Sequence, residues 1–290
     1  MSTLLSSATK LVVSVDVEDW AQSTWNHSLD VPPHAARNTE RLLDILAMHE
    51  KTVTMFVLGK FAERFPNIVR RIEAEGHEIA SHGYGHIEIH MQTQEGFRQD
   101  ARQAKELLED LTGKLVVGYR APDFSIGSGT VWALDVLADL GFQYDSSIFP
   151  IKCNRYGISD WPLQPMNVRL PSGRSIVELP IATFTLFGRR WPVAGGGYHR
   201  LLPWPVIREV ITRSLRSGLP FVSYCHPYEF DLNEFSMLEL DIPLAVRWHQ
   251  GLGRRGFQRK FERMLTNFDV SQAYKIALEC EWPDYILQAV

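Results

Sequence analysis

The residues best suited to chemistry lie at the ends of short apolar runs. Residues 11–15, all apolar but for Ser14, lead into Asp16, Glu18 and Asp19. Alternate strand residues share a face, so Asp16 and Glu18 converge while Val15 and Val17 point the other way. Two carboxylates at one strand end can bind a metal ion or serve as a general base, and those jobs require different surroundings. A solvated turn or a helix cap would use the same cluster. The segment His77-Glu-Ile-Ala-Ser-His82-Gly-Tyr-Gly-His86 adds a His-x-x-x-His pair straight after another apolar run. Residues four apart on a helical turn lie on one face and can grip one ion, although Gly83 and Gly85 favour a loop. Two imidazoles plus one carboxylate leave positions open for water and substrate, as catalytic zinc requires, whereas a closed structural site would want a fourth protein ligand.

Two later segments have the same character. Gly118-Tyr119-Arg120-Ala121-Pro122-Asp123 places Arg120 where it can pair with Asp16, hold it ionised and orient it, or else form an ordinary surface salt bridge. Phe221-Val-Ser-Tyr224-Cys225-His226-Pro227 ends a late apolar run with His226, a group that titrates near neutrality. It can protonate a leaving group, or sit in a core with its ring bonded to backbone.

Elements must bring these positions together, and the hydrophobic pattern supplies them. The spacing predicts strands over 11–15, 52–58, 77–80, 115–119, 142–144 and 221–224. Between them it predicts helices over 35–50, 61–75, 93–111, 129–140 and 204–217, with Gly76, Gly113 and Gly141 as stop signals. Such alternation favours a parallel sheet, open or closed into a barrel, with function at the carboxyl ends of its strands. Residues 153–197 change to a proline-, glycine- and tryptophan-rich texture, an elaborated loop region with a hairpin over 168–179 turning at Ser172-Gly173.

Composition narrows the class. The 290 residues, 45% hydrophobic and 22% charged, allow one large domain or two small ones and exclude disordered, collagen-like and coiled-coil readings. With 30 Lys and Arg against 34 Asp and Glu, the net charge of -4 argues against a polyanion held by bulk charge, so no nucleic-acid partner is expected. Cys153, Cys225 and Cys280 share no close spacing, which suggests neither a disulfide framework nor a thiolate zinc site. Residues 1–15 lack the basic start and sustained apolar stretch of a signal peptide, and no window approaches ~18 uninterrupted apolar residues. A cytoplasmic protein without an integral membrane segment is the resulting expectation.

The segments Ser14-Val-Asp16-Val-Glu18-Asp19-Trp20, Ser81-His82-Gly-Tyr-Gly-His86, Tyr119-Arg120-Ala-Pro122 and Tyr224-Cys-His226-Pro together resemble the polysaccharide deacetylase family, carbohydrate esterase family 4, over about residues 10 to 230. The segments 144–150 and 195–200, and the tail beyond His226, are similar more narrowly to deacetylases encoded with exopolysaccharide assembly systems. The resemblance implies an α/β fold, a distorted (β/α) barrel with about seven parallel strands. With no repeat, low-complexity tract or clear linker, the chain reads as a catalytic domain over 1–230 with an elaborated C-terminal extension over 231–290 packed on the same domain. The resemblance also implies a divalent metal, most often zinc, and hydrolysis of an N-acetyl group from an aminosugar of a poly- or oligosaccharide, lipid-linked in some settings.

Carried over by position, Asp16 becomes the general base, Arg120 its partner, His226 the general acid, and His82 and His86 metal ligands. Family members commonly carry two adjacent aspartates in the first motif, but here the neighbour of Asp16 is Val17. The strand-face argument then selects Glu18 as the third ligand, with Asp19 in reserve. The serine or threonine that usually follows the first motif histidine is Gly83, which removes a small supporting hydrogen bond. Tyr84, Pro122 and Asp145, inside the shared segments, and Trp20 and Tyr198, aromatic residues beside loops, are the candidate substrate contacts. Trp25, Trp161, Trp191 and Trp204 extend the set of candidate stacking surfaces, fewer than half of which should meet sugar. The basic stretch Arg254 to Lys260 reads as a solvated helix face. Two other readings remain: a related carbon–nitrogen hydrolase acting on a small amide, formamide or ureide, and a non-catalytic carbohydrate-binding subunit.

Overall fold

The first apolar run is β1 (Leu11–Val17), buried along its whole length because strands flank it on both edges. It belongs to a computed structural model that describes residues 9–153, 156–238 and 240–287. The remaining sheet strands in chain order are β2 (Thr54–Val57), β3 (Glu78–Ser81), β4 (Gly118–Tyr119), β5 (Tyr144–Asp145), β6 (Met166–Arg169) and β7 (Ser175–Glu178). A separate two-stranded ribbon, β8 (Thr183–Leu186) and β9 (Arg189–Pro192), precedes β10 (Phe221–Cys225), β11 (Val270–Ser271) and β12 (Asp284–Ile286). The order β10-β1-β2-β3-β4-β5-β7 is parallel throughout, giving seven parallel strands.

Closure between β7 and β10 is irregular. The chain leaving β7 donates from Ala182 N to Val222 O at 3.1 Å, and on its return Ala194 O accepts from Tyr224 N at 3.0 Å. These bonds join the two edges without a continuous ladder, which is the distortion of the barrel.

Helices cover the outer face, and each buries one stripe against the strands. Pro33–Met48 turns His34, Ala35, Asn38, Thr39, Leu42, Leu43, Ile45 and Leu46 inward, the 3-4 spacing of an amphipathic helix. The helix expected over 61–75 is two helices, Gly59–Arg64 and Pro66–Ala74. Pro66 forbids α geometry to the residue before it, and Phe65 accordingly sits at φ -127, ψ 56. The strands expected over 115–119 and 142–144 pair only at Gly118–Tyr119 and Tyr144–Asp145. Gly118 is required there, since a Cβ would overlap the Tyr144 ring, whose hydroxyl donates to Glu78 Oε1 at 2.7 Å. The expected hairpin is the antiparallel pair β6–β7.

Residues after 230 enter the same sheet. β11 pairs with Leu11 and Val12 of β1, and β12 pairs with β6. Helix Arg254–Asn267 lays Phe257 and Phe261 on Phe230, with ring centroids 4.9 and 5.2 Å away. Its basic run is the solvated face that its charge suggests only at Arg255 and Arg259, which are exposed. Arg254 is buried, and Lys260 Nζ donates to the carbonyls of His199, Arg200 and Leu202 at 3.0, 2.8 and 2.7 Å. No helix among the described residues is long and apolar enough to cross a membrane.

Candidate active site

The carboxyl ends of β1, β3 and β10 open on a cavity of about 250 Å³ lined by Asp16, Glu18, Trp20, His82, His86 and His226. Tyr156, Tyr224, Tyr228, Asp123 and Phe124 form its apolar and polar rim. Side chains that lie up to 210 positions apart in sequence, Asp16 and His226, therefore face one space, with His226 Nε2 3.9 Å from Asp16 Oδ2.

Glu18, His82 and His86 present donor atoms all within 4.8 Å of one another. Glu18 Oε2 lies 2.7 Å from His86 Nε2 and 3.4 Å from His82 Nε2. The His82 ring is oriented by its Nδ1, 2.9 Å from the Arg120 carbonyl oxygen. Only a protonated Nδ1 can donate to a carbonyl, which leaves the Nε2 lone pair aimed at the carboxylate. Lone pair facing lone pair calls for a positive charge between them. No donor meets hydrogen-bond geometry at Glu18 Oε2 among the described residues, so this buried oxygen, like the two nitrogens beside it, fits a cation. Without a cation a proton takes that place. Burial opposes charge on His86, but the adjacent Glu18 raises its pKa above the ordinary value. Burial likewise opposes the Glu18 carboxylate, but the charges of His86 and His226, with the imidazoles that adjoin it, hold its pKa well below the ordinary value.

Asp19 turns away from this cluster. Its Oδ1 accepts Gln22 N–H at 2.9 Å, where a π-helical turn over Ala21–Trp25 begins, and burial pushes its pKa up to about 7. The strand-face argument for Glu18 and this turn place Glu18, not Asp19, beside the imidazoles.

Asp16 has a buried partner. Arg120 Nη1 donates to Asp16 Oδ1 and to Ser14 Oγ, both at 2.7 Å, while Nε and Nη2 bond Ser146 O and Oγ at 3.1 and 3.0 Å. The guanidinium lies 4.0 Å from the Phe56 ring centroid, packed so that it has no exposed surface. Its fork is thus fixed on five sides and fixes the carboxylate in turn.

His226 is held from behind. Its Nδ1 is 3.4 Å and its backbone N 3.1 Å from Glu229 Oε2, and Glu229 Oε1 meets Arg200 Nε at 3.1 Å. The ring stacks on Tyr228 with centroids 4.7 Å apart. Burial alone would lower its pKa, but Glu229, Glu18 and Asp16 outweigh it and raise the value to about 9. Gly196 is necessary to this arrangement, because a Cβ there would overlap the Glu229 carboxylate. The run Gly195-Gly-Gly-Tyr-His199-Arg200 therefore admits Glu229 and supplies its arginine.

Four candidate substrate contacts lie elsewhere. Tyr84 OH donates to Glu63 Oε2 at 2.8 Å, outside the cavity. Pro122 is buried as the first residue of a short 3-10 turn. Asp145 is fully buried, accepting from Ser147 Oγ at 2.6 Å and lying against Glu178, because the strand alternation that sends Ser146 to Arg120 turns Asp145 outward. Tyr198 reaches the rim only through its bond to Tyr156. Trp20 lines the cavity and stacks on Trp25 at 5.8 Å. Sequence reading missed Glu229, whose three-residue spacing after His226 is that of a capping box, and the consecutive left-handed residues Asp123 and Phe124 at φ 53 and 54. Non-glycine residues in that region, His86 at φ 58 among them, mark strain of the kind gathered at functional sites.

With that geometry in hand, comparison with known proteins identifies the class. Residues 22–144 match the family described as "Polysaccharide deacetylase", and residues 146–277 match a "Domain of unknown function (DUF3473)". The chain carries a polysaccharide deacetylase domain. It is 40% identical over 84 residues to the peptidoglycan-N-acetylglucosamine deacetylase of Bacillus cereus, a match covering 29% of this chain and 30% of that one. The first curated relatives are covered over 30, 60 and 44% of their own lengths. A putative polysaccharide deacetylase of Mycobacterium smegmatis has the same fold, with TM-score 0.62 and 21% identity over 97% of this chain and 96% of that one. So does the Puue allantoinase, with TM-score 0.61 and 16% identity over 93% and 90%.

Proposed function

We propose that this chain hydrolyses N-acetyl groups from aminosugar units of a poly- or oligosaccharide, lipid-linked or free, in exopolysaccharide biosynthesis, using a divalent metal held by Glu18, His82 and His86. The observation that carries the reading is the convergence of that donor set with Asp16 and His226, whose Nε2 lies 3.9 Å from Asp16 Oδ2 and 3.6 Å from Glu18 Oε1. Oxygen and imidazole donors with positions left open suit zinc. When bound, such an ion polarises the acetyl carbonyl and acidifies water.

The chain's own residues do the rest. Asp16, aimed by Arg120, is placed to take the proton from the attacking water. Glu229 raises the pKa of His226, which favours the protonated ring that would give its Nε2 proton to the departing amine. Tyr224, Tyr228 and Trp20 restrict water and offer faces to a sugar ring. Names of relatives such as the Bacillus cereus enzyme support an aminosugar amide as substrate. The shared fold of the allantoinase shows that the barrel alone does not choose between amides and ureides.

The test is acetate release from N-acetylglucosamine oligomers by zinc-loaded chain, abolished by chelation and restored by zinc. Ammonia or formate release from small amides in its place would favour the ureide-type reading. Tight sugar binding with no turnover at any metal loading would favour a binding subunit.

A further inference from the structure

The ribbon β8–β9 leaves the carboxyl end of β7 and returns beside Tyr224, whose side chain lines the catalytic cavity. It pairs with no other strand among the described residues. Its turn is Phe187-Gly188, with φ of 51 and 71, the two positive values of a type I′ turn. Asparagine or aspartate is the usual first residue of such a turn, and an aromatic residue there is strained. Phe187 is nevertheless in that position and 96% exposed, with Leu186 and Trp191 at 43 and 51%. The strain has no packing gain on the chain itself to offset it.

The charge on the ribbon itself has one sign, the exposed Asp160 lying beside its base. Residues 183–192 contain no carboxylate, and Arg189 and Lys152 are exposed beside the tip. A groove of about 670 Å³ runs under it, lined by Ile151, Lys152, Arg189, Arg190, Trp191 and Pro192. Arg190 pins the ribbon by donating Nη1 to Ser159 O and Trp161 O at 2.9 and 2.7 Å, so the tip is presented on a fixed base.

We infer that the β8–β9 ribbon is a membrane-surface anchor, its Phe187 tip inserting among the acyl chains of an anionic phospholipid bilayer while Arg189 and Lys152 meet the phosphates. Apolar tips with cationic necks are the chemistry of that interface, where aromatic rings sit at headgroup depth and long basic side chains reach phosphate. Three exposed apolar side chains are too few for a stable protein interface, which takes ~800 Å² from each partner. The inference does not rest on the hydrolytic reading, since binding is measured without a saccharide.

The full chain is sedimented with phosphatidylcholine vesicles and with phosphatidylcholine–phosphatidylglycerol vesicles at about three to one. Partition onto the anionic vesicles is expected, weakening as salt rises towards ~0.5 M, where charges are screened within a few ångströms. Phe187→Asn suits the turn and should melt no lower than the parent while binding about tenfold more weakly. Arg189→Gln should bind about fivefold more weakly. Failure of the parent to sediment with either vesicle, or undiminished binding by Phe187→Asn, overturns the inference. So does a lipid-free dimer in analytical ultracentrifugation that Phe187→Asn converts to monomer, which would assign the tip to a second copy of the chain.

Discussion

The two halves of the catalytic cavity are built in different ways. One half takes Asp16, Glu18 and His82 from or just beyond β1 and β3, which share a parallel sheet with β2 between them, and Arg120, just beyond β4, holds Asp16 from behind. Every nitrogen of Arg120 is bonded, and no residue beyond 146 takes part in those bonds. The other half takes His226 from just beyond the end of β10. Its orientation comes from Glu229 and Arg200, and the loop carrying Tyr228 is tied down by Arg254, which donates Nη1 to Tyr228 O and Asp231 O at 2.7 and 2.8 Å. Buried Glu234 faces Arg254 at 3.7 Å and also meets His34 and Asn38. His82 and Arg120 fall in the first matched region, residues 22–144, and His226, Glu229, Arg200 and Arg254 in the second, 146–277, while Asp16 and Glu18 precede both. The lesson is that strand ends of one sheet bring Asp16, Glu18 and His82 together, whereas His226 is oriented by groups outside those strands.

Substitutions can break that contrast. The largest effect is expected from Asp16→Asn and His226→Ala, each lowering turnover by ~100- to 10,000-fold. Circular dichroism and elemental analysis should find fold and metal unchanged, and near-parental turnover would remove the residue from its role. Next, His82→Ala should weaken zinc affinity by about a hundredfold or more in equilibrium dialysis, whereas His226→Ala should leave it within a few-fold. Zinc affinity of the parent should also fall with acid, by about tenfold per pH unit where one proton is displaced, because His86 gains its proton more readily than a free imidazole.

Glu229→Gln sharpens the contrast by touching the acid half alone, with turnover about tenfold lower and metal content unchanged. In the metal-free chain, the His226 ring should titrate near 9 by NMR and well below that in Glu229→Gln. The sign follows from linkage. A folded-state pKa raised from about 6.5 to about 9 adds stability that is fully present below the lower value and lost as pH rises through the upper one. A bound cation repels the imidazolium, so metal loading should move the titration downward. The smallest effect on turnover belongs to Arg254→Leu, which should cost about 3 kcal/mol of stability by leaving Glu234 buried without its cation. Urea unfolding measures it.

Legibility follows the same division. Asp16, Glu18, His82, His86 and Arg120 stand out in sequence because each ends or follows a short apolar run, and period-2 alternation is enough to put Asp16 and Glu18 on one face. His226 is visible on the same grounds, but its supports are not. Arg200 and Arg254 reach Glu229 and the Tyr228 carbonyl across 29 and 26 positions, and no local pattern reports such pairings. Arg254 sits in a run that charge alone describes as solvated, and Asp145 follows the same strand alternation to the buried side. Pro66 was the one local signal that would have divided the second helix correctly, since the residue before a proline resists α geometry.

The neighbours of β1 also set a timetable. Ser14 Oγ donates to Ser223 O at 2.8 Å, a bond spanning 209 positions, so the amino-terminal strand waits for most of the polypeptide to leave the ribosome before β10 can cover its open edge. Until then an apolar strand stands with unpaired amides along one side, an invitation to intermolecular pairing during synthesis. Nascent chains stalled before residue 221 should therefore be clients of chaperones, and Asp16 and His226 can meet only after that wait is over.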